Sequence, residues 1–293
     1  MQSHQIHVGG QTAWEHDDGA AGGVFHTFDG LQCAGRHDHP RKVHVWLPPG
    51  YGNGGRRHPT IYCNDGHSVF FAGGLGRWHA QHLVADLVHK RHIPAPIVVA
   101  IEPLDRGHEY LHVREIDGRF PFWRGGGLRQ YAGYVANDVR RFIDSHYRTI
   151  GDRCHRVVLG SSHGGLAAFW TGVMHGGDIG NVIAMSSSFW AGEIKEIRKS
   201  RLLTATRGAL HDRQRRPRIY IDWGLCREGG FHNDHIEKWA TWRGQDMAHV
   251  LCSEFGYRDG HDLLAVEDPH GGHHESAWGR RLPDALRFVL SGS

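Results

Sequence analysis

No apolar run in this 293-residue chain approaches the roughly 18–20 residues that a membrane-spanning helix needs, so a membrane protein is not expected. Charge of one sign is equally scarce. Lys and Arg number 34 against 31 Asp and Glu, for a formal net charge of +3, and no basic stripe marks a nucleic-acid track. The opening segment MQSHQIH lacks a basic region followed by an apolar core, so no secretory leader is visible and a cytoplasmic location is expected, a trimmed secreted form staying open. The five cysteines (Cys33, Cys63, Cys154, Cys226, Cys252) are odd in number and hold no CxxC pair. That disfavours a disulfide framework or a zinc ribbon and makes a reducing compartment the default. Neither an internal repeat nor a low-complexity linker divides the sequence, which predicts one domain over residues 1–293.

What is present is an ordinary globular balance, with 39% hydrophobic and 22% charged residues, enough apolar mass for a sizeable core. Histidine is abundant at 27 and glycine at 41, so the net charge depends on pH around the imidazole value of about 6.5. Short β-type runs recur at 42–47 (KVHVWL), 60–63 (TIYC), 96–101 (PIVVAI), 156–159 (RVVL), 181–185 (NVIAM), 218–221 (RIYI) and 262–266 (DLLAV). Several are apolar throughout, as for strands covered on both faces. Apolar residues fall at helical spacing in 78–90, 131–143, 166–173 and 282–290. The alternation predicts an α/β fold, a doubly wound, mostly parallel sheet with helices on both faces. Two segments fit the rhythm poorly, 105–128, read as a long loop, and the Arg- and Lys-rich 191–217, read as a helix and a surface loop, with their loops shaping a site.

The most informative stretch is RVVLGSSHGGLAAF, beginning at Arg156. It contains G-x-S-x-G from Gly160 to Gly164, preceded by an apolar strand and followed by a helix rich in small residues. Such a sharp strand-to-helix turn lifts the Ser162 hydroxyl above the sheet, next to a helix N-terminus that favours developing negative charge. Ser162 is thus the candidate nucleophile, and the His163 backbone N–H a candidate oxyanion donor. A nucleophilic serine needs a base and an orienting acid, here expected in the order Ser, Asp/Glu, His. Two stretches following predicted strands supply candidates: Asp222 to Glu228, and Glu267 to Trp278 with His270, His273 and His274. Both lie where parallel-sheet sites are built, past strand C-terminal ends.

Further segments stand in order along the chain: VWLPPGY from Val45, IYCNDGH from Ile61, IPAPIVVAI from Ile93 and RGHEY from Arg106. They continue with Gly160–Gly165, SSSFW from Ser186, and HHESAW from His273 with the closing LPDALRFVL. This ordered set resembles the Putative esterase family of α/β hydrolases, which includes enterochelin esterases, esterase D, feruloyl and acetyl-xylan esterases and mycolyltransferases. The likeness is closest to the enterochelin-esterase-like branch, where R-x-x-E-Y and H-x-E-x-x-W recur. It implies a serine esterase with Ser162 as nucleophile and His273 as base, because His273 alone of the three satisfies H-x-E-x-x-W. It implies an acid three residues after the glycine that follows the 218–221 strand. Arg227 holds that position, so Glu228, one residue later, is the expected acid and Asp222 the alternative. It also implies that the His67 N–H is the second oxyanion donor. No cofactor is called for, and the partner is a small-molecule ester, with neither nucleic acid nor membrane.

Other clusters carry weaker readings. Arg106 and Glu109 are expected to pair across a loop, and Phe122, Trp123 and Trp190 are candidate substrate-lining aromatics. Trp278 is read as a packing residue that fixes the His273 loop. The histidine pairs, including His37 and His39, match no defined metal spacing, so no metal site is expected. Three alternatives to ester hydrolysis remain: acyl transfer to an acceptor alcohol, a non-catalytic binding scaffold and a histidine-based metal binder. The ester itself and the oligomeric state are not readable.

Overall fold

The structure is a computed structural model that describes residues 3–17, 19, 21–33, 40–71, 76–116, 123–192 and 196–290. Its strands are β1 (Ser3–Val8), β2 (Gln11–Asp17), β3 (Val24–Leu31), β4 (Arg41–Leu47), β5 (Thr60–Cys63) and β6 (Ile97–Ile101). A short ribbon follows, β7 (Arg114–Ile116) with β8 (Trp123–Gly125), and then β9 (Arg156–Ser161), β10 (Asn181–Met185), β11 (Arg218–Gly224) and β12 (Leu263–Asp268). Helices α1 (Gly66–Phe70), α2 (Ala80–His89), α3 (Arg106–Glu109), α4 (Leu128–Gly133), α5 (Arg140–His146), α6 (His163–Met174), α7 (Arg201–His211), α8 (Lys238–Phe255) and α9 (Glu275–Leu290) intervene. Among the described residues two π-helical turns occur, Tyr134–Val139 between α4 and α5, and His232–Glu237 leading into α8.

Ten strands form one sheet in the order β1-β2-β3-β4-β6-β5-β9-β10-β11-β12. From β6 to β12 every pairing is parallel, whereas β1 to β4 and the β4–β6 pair run antiparallel. The apolar runs take the centre because their residues alternate between two cores. Val158 of β9 and Val182 of β10 pack on one face with Leu166 and Phe169 of α6. Val157 and Leu159, with Ile183 and Met185, pack on the other with Trp278 and Leu282 of α9. A strand buried on both faces cannot alternate polar with apolar residues, which is why these runs read as continuous.

The predicted strands all form, with β11 extended to Gly224 and β12 to Asp268. The segment predicted as a long loop at 105–128 carries α3 and the β7–β8 ribbon, its residues 117–122 lying outside the described ones. Among the described residues no helix is long and apolar enough to cross a membrane, and no group of three or more metal-ligating side chains converges. His37 and His39 lie outside the described residues.

Candidate active site

Ser162 stands at the tip of a sharp turn between β9 and α6, with φ 54° and ψ −124°. Such a backbone is costly for a residue with a Cβ and persists only where neighbours over-determine it. Here they do. The Ser162 N–H donates to the Met185 carbonyl at 2.9 Å, and its own carbonyl accepts from Gly165, Leu166 and Ser188 at 3.1, 3.1 and 3.0 Å. Glycines are required on either side: a Cβ at Gly160 would run into the Gly164 carbonyl, and one at Gly164 would lie 2.8 Å from Asp65 Oδ2. The Ser162 side chain therefore stands at the N-terminus of α6, beyond the C-terminal end of its strand.

His273 reaches this serine from the loop between β12 and α9. Its Nε2 lies 2.9 Å from Ser162 Oγ and its Nδ1 2.6 Å from Glu237 Oε2. An ionised carboxylate only accepts, so Nδ1 carries the proton and Nε2 is left as acceptor for the Ser162 hydroxyl. The Glu237 side chain is fully buried and that of His273 is 4% exposed. Burial lowers the His273 pKa below its ordinary value, with Glu237 pulling upward and His232 and Arg106 downward, so the ring rests neutral. Burial alone would raise Glu237. Its hydrogen bond to His273, the charge of Arg281 and the Gly224 N–H together hold its carboxyl below the usual range.

The second Glu237 oxygen is equally occupied. Oε1 accepts from the Gly224 N–H and, at 2.9 Å, from Ser186 Oγ. Ser186 Oγ in turn accepts from Trp278 Nε1 at 3.1 Å and from Arg281 Nη2 at 2.9 Å.

The expected acid, Glu228, is not at the site. It is exposed on the loop after β11, and Glu237, nine residues later on the π-helical turn, occupies the place beside His273. The loop that would have carried Glu228 inward is pinned outward by Arg227, which donates to the Gly224 carbonyl and to Thr241 Oγ1. Asp222, the alternative, is fully buried but committed elsewhere. It accepts from the Ser186 N–H at 3.0 Å and from the Tyr220 hydroxyl, and pairs with Arg281 at 3.0 Å. Desolvation raises it to about 6 in spite of Arg281.

A pocket of about 530 Å³ opens over Ser162 and His273, and His67, His163 and Trp190 are among its lining residues. Trp278 also lines it while packing edge-on against the His273 ring at 5.1 Å. The Trp123 backbone belongs to the β7–β8 ribbon, its side chain outside the described residues, as is all of Phe122. The expected Arg106–Glu109 pair does not form. Arg106 clasps Asp65 through two bonds of 2.7 and 3.0 Å, and Glu109 pairs with buried Arg41 at 2.7 Å. Asp65 has φ 55°, its N–H donating to the Tyr110 hydroxyl at 2.9 Å, and begins α1 with its pocket residue His67. His163 is driven to a pKa of about 3 by burial, with Arg106 and His273 adding to the shift. His270 is exposed, and His274 Nδ1 accepts from the Ala277 N–H in the first turn of α9.

Comparisons with known proteins agree with this architecture. Over 252 residues the chain is 22% identical to the uncharacterized protein YbbA of Bacillus subtilis, covering 85% of this chain and 92% of that one. An IroE-like serine hydrolase from Shewanella oneidensis superimposes with a TM-score of 0.67 at 18% identity, over 89% of this chain and 79% of the other. The enterobactin esterase FES of Shigella flexneri superimposes with a TM-score of 0.65 at 17% identity, over 92% of this chain and 59% of that longer one. The family model "Putative esterase" matches residues 34–289. The chain therefore belongs to the Putative esterase family and is a carboxylic-ester hydrolase of the α/β-hydrolase fold.

Proposed function

We propose that the protein hydrolyses small-molecule carboxylic esters through a Ser162–His273–Glu237 triad and an acyl-enzyme intermediate. The observation that carries this reading is the unbroken line of hydrogen bonds from the Glu237 carboxylate through the His273 ring to the Ser162 hydroxyl, 2.6 and 2.9 Å long, beside an open pocket. His273 takes the Ser162 proton as the oxygen attacks the ester carbonyl. The tetrahedral oxyanion is held by the backbone N–H of His163 and by that of His67, a reading supported by both residues lining the pocket. His273 then gives its proton to the leaving alcohol as the ester bond breaks. A water, deprotonated by the same ring, attacks the acyl group and frees Ser162. Glu237 orients the imidazole and stabilises its charged form without taking the proton. No step calls for a cofactor.

Trp190 and Trp278 give the pocket an apolar wall, and Asp65, Arg106 and Glu275 give it a charged one, which supports a polar ester with an apolar part. Enterobactin, the ester named with the FES relative, is accordingly among the first natural substrates to try.

The test is hydrolysis of p-nitrophenyl esters from acetate to octanoate with Ser162→Ala and His273→Ala in parallel. Turnover is expected in the parent and a loss of at least about 10³-fold in each variant. Turnover that survives in Ser162→Ala would overturn the nucleophile assignment.

A further inference from the structure

One buried side chain beside His273 is accounted for by none of these roles. Asn233 lies on the π-helical turn, four residues before Glu237, and is 9% exposed. Its Oδ1 accepts the backbone N–H of His273 at 2.8 Å. Its Nδ2 donates to the Glu228 carbonyl at 2.5 Å and approaches Cys226 Sγ at 3.8 Å. A peptide N–H can only donate and a peptide carbonyl only accept, so these two partners fix which way the amide points. The approach is close: a Cβ at Gly272 would lie 2.6 Å from Asn233 Oδ1.

The loop needs this tie. Leu225 N–H donates to the Asp268 carbonyl and Cys226 N–H to the Gly271 carbonyl, each at 2.9 Å, so backbone bonds anchor the loop to the end of β11 as far as Gly271. From His274 onward its carbonyl is engaged by the first turn of α9. Between these anchors the His273 N–H is held by a side chain. Two side chains of one helical segment thus grip His273, Asn233 at the backbone and Glu237 at Nδ1. A ring held at one point can swing about the Nδ1 contact; held at two, it is fixed in distance and direction.

We infer that Asn233 is a positioning residue, which holds His273 at the height where Nδ1 meets Glu237 while Nε2 meets Ser162. This rests on the triad reading for its meaning in catalysis, but the grip itself is a statement about the His273–Glu237 hydrogen bond and has a readout of its own.

The experiment compares Asn233→Leu and Asn233→Asp with the parent by ester kinetics, thermal midpoint and proton NMR of the far-downfield His273 Nδ1 proton. Leucine fills the space but leaves the His273 N–H and Glu228 carbonyl without partners. It is expected to lower kcat about 10²-fold, as for a misplacement of about 1 Å, with KM little changed and the downfield proton lost. Aspartate keeps the acceptor for His273. It is expected to recover most of kcat and to move the acid limb of the pH profile upward, since a negative charge beside the ring favours its protonated form. Loss of the downfield proton in Asn233→Leu from a protein that turns over no ester would uphold the grip while the hydrolytic reading fell. The inference is overturned if Asn233→Leu retains both kcat and the downfield proton. It is equally overturned if both variants lose activity only in step with their thermal midpoints, with the pH limb unmoved.

Discussion

At the scale of single residues, the informative contrast is among three carboxylates. Glu237 and Asp222 are both buried to completion, yet their surroundings push their pKa values apart, below the usual range for Glu237 and up to about 6 for Asp222. Arg281 faces both, pairing with Asp222 and reaching Glu237 through Ser186. As the solution is acidified Asp222 takes up a proton first, and the group that keeps its charge to lower pH is the one touching His273. Glu237→Gln should therefore lower kcat by about 10²–10⁴-fold, because an amide can present a donor to Nδ1 and so favour the wrong tautomer. Glu228→Gln should change it less than about 2-fold, and Asp222→Asn should act mainly on the thermal midpoint. The reverse ranking of Glu237 and Glu228 in steady-state kinetics would move the acid to the exposed loop. The pH profile follows from His273. Its folded pKa lies below the ordinary value of about 6.5, so the acid limb of kcat/KM should fall below that pH. An acid limb at or above 7 would mean that the pull of Glu237 outweighs burial and holds the ring above its ordinary value.

At the scale of elements, the parallel centre of the sheet was legible because burial on both faces forces unbroken apolar runs, and the turn bearing Ser162 because glycines and serines punctuate it. The antiparallel edge was not. β1 and β2 are largely exposed, so their residues (SHQIHV and QTAWEHD) carry no strong apolar alternation. The overlooked signal was Gly9-Gly10. The register pairs Val8 with Gln11, leaving two residues at φ 57° and 75°, the conformation a tight hairpin demands and glycine supplies. Glu237 escaped for a different reason. Family spacing pointed to the loop directly after the strand, but the chain runs on past Glu228 and returns as a helical turn, where a glutamate has no distinguishing pattern. Tertiary contact alone singles it out. The opposite relation holds for the proposed oxyanion donors, whose side chains are incidental because the N–H groups do the chemistry. Gly164→Ala tests them at the level of elements. Its Cβ would press on Asp65 Oδ2 and Asn64 Cβ, separating the start of α1 from the start of α6. A loss of about 10²–10³ in kcat is expected, comparable to removing one oxyanion donor. Unchanged kcat in a folded variant would argue against the α1 N–H.

At the scale of the whole molecule, the abundance of histidine acquires a physical consequence. His26, His58, His163, His175 and His273 all have pKa values lowered chiefly by burial, His163 to about 3. Each holds a proton less readily in the folded protein than once unfolded, when it titrates near 6.5. Below that pH the unfolded chain binds more protons than the folded one, so stability falls as the solution is acidified. Within its window each such group contributes a slope of up to about 1.4 kcal/mol per pH unit. Asp222 opposes them. Raised to about 6, it binds a proton in the folded state that the unfolded chain takes up only near 3.9, so it stabilises the fold as pH drops between those values. Glu275, also raised by burial, has the same sign, and these two do not offset the five of the other. The thermal midpoint should therefore decline from roughly pH 7.5 to 5, the histidine window. His58 isolates a single contribution, since its Nδ1 donates to the Ala95 carbonyl at 2.8 Å and it precedes β5, which runs parallel to β9, so it enters the sheet at the end opposite to the Ser162 turn. His58→Gln keeps a donor for that carbonyl and cannot take up a proton. It should reduce the pH dependence of unfolding, measured by urea titration at each pH, by up to about one proton's slope while leaving the remainder intact. A parent midpoint that stays flat over this range would mean that these histidines, His273 among them, take up protons in the folded protein as they do in the unfolded chain.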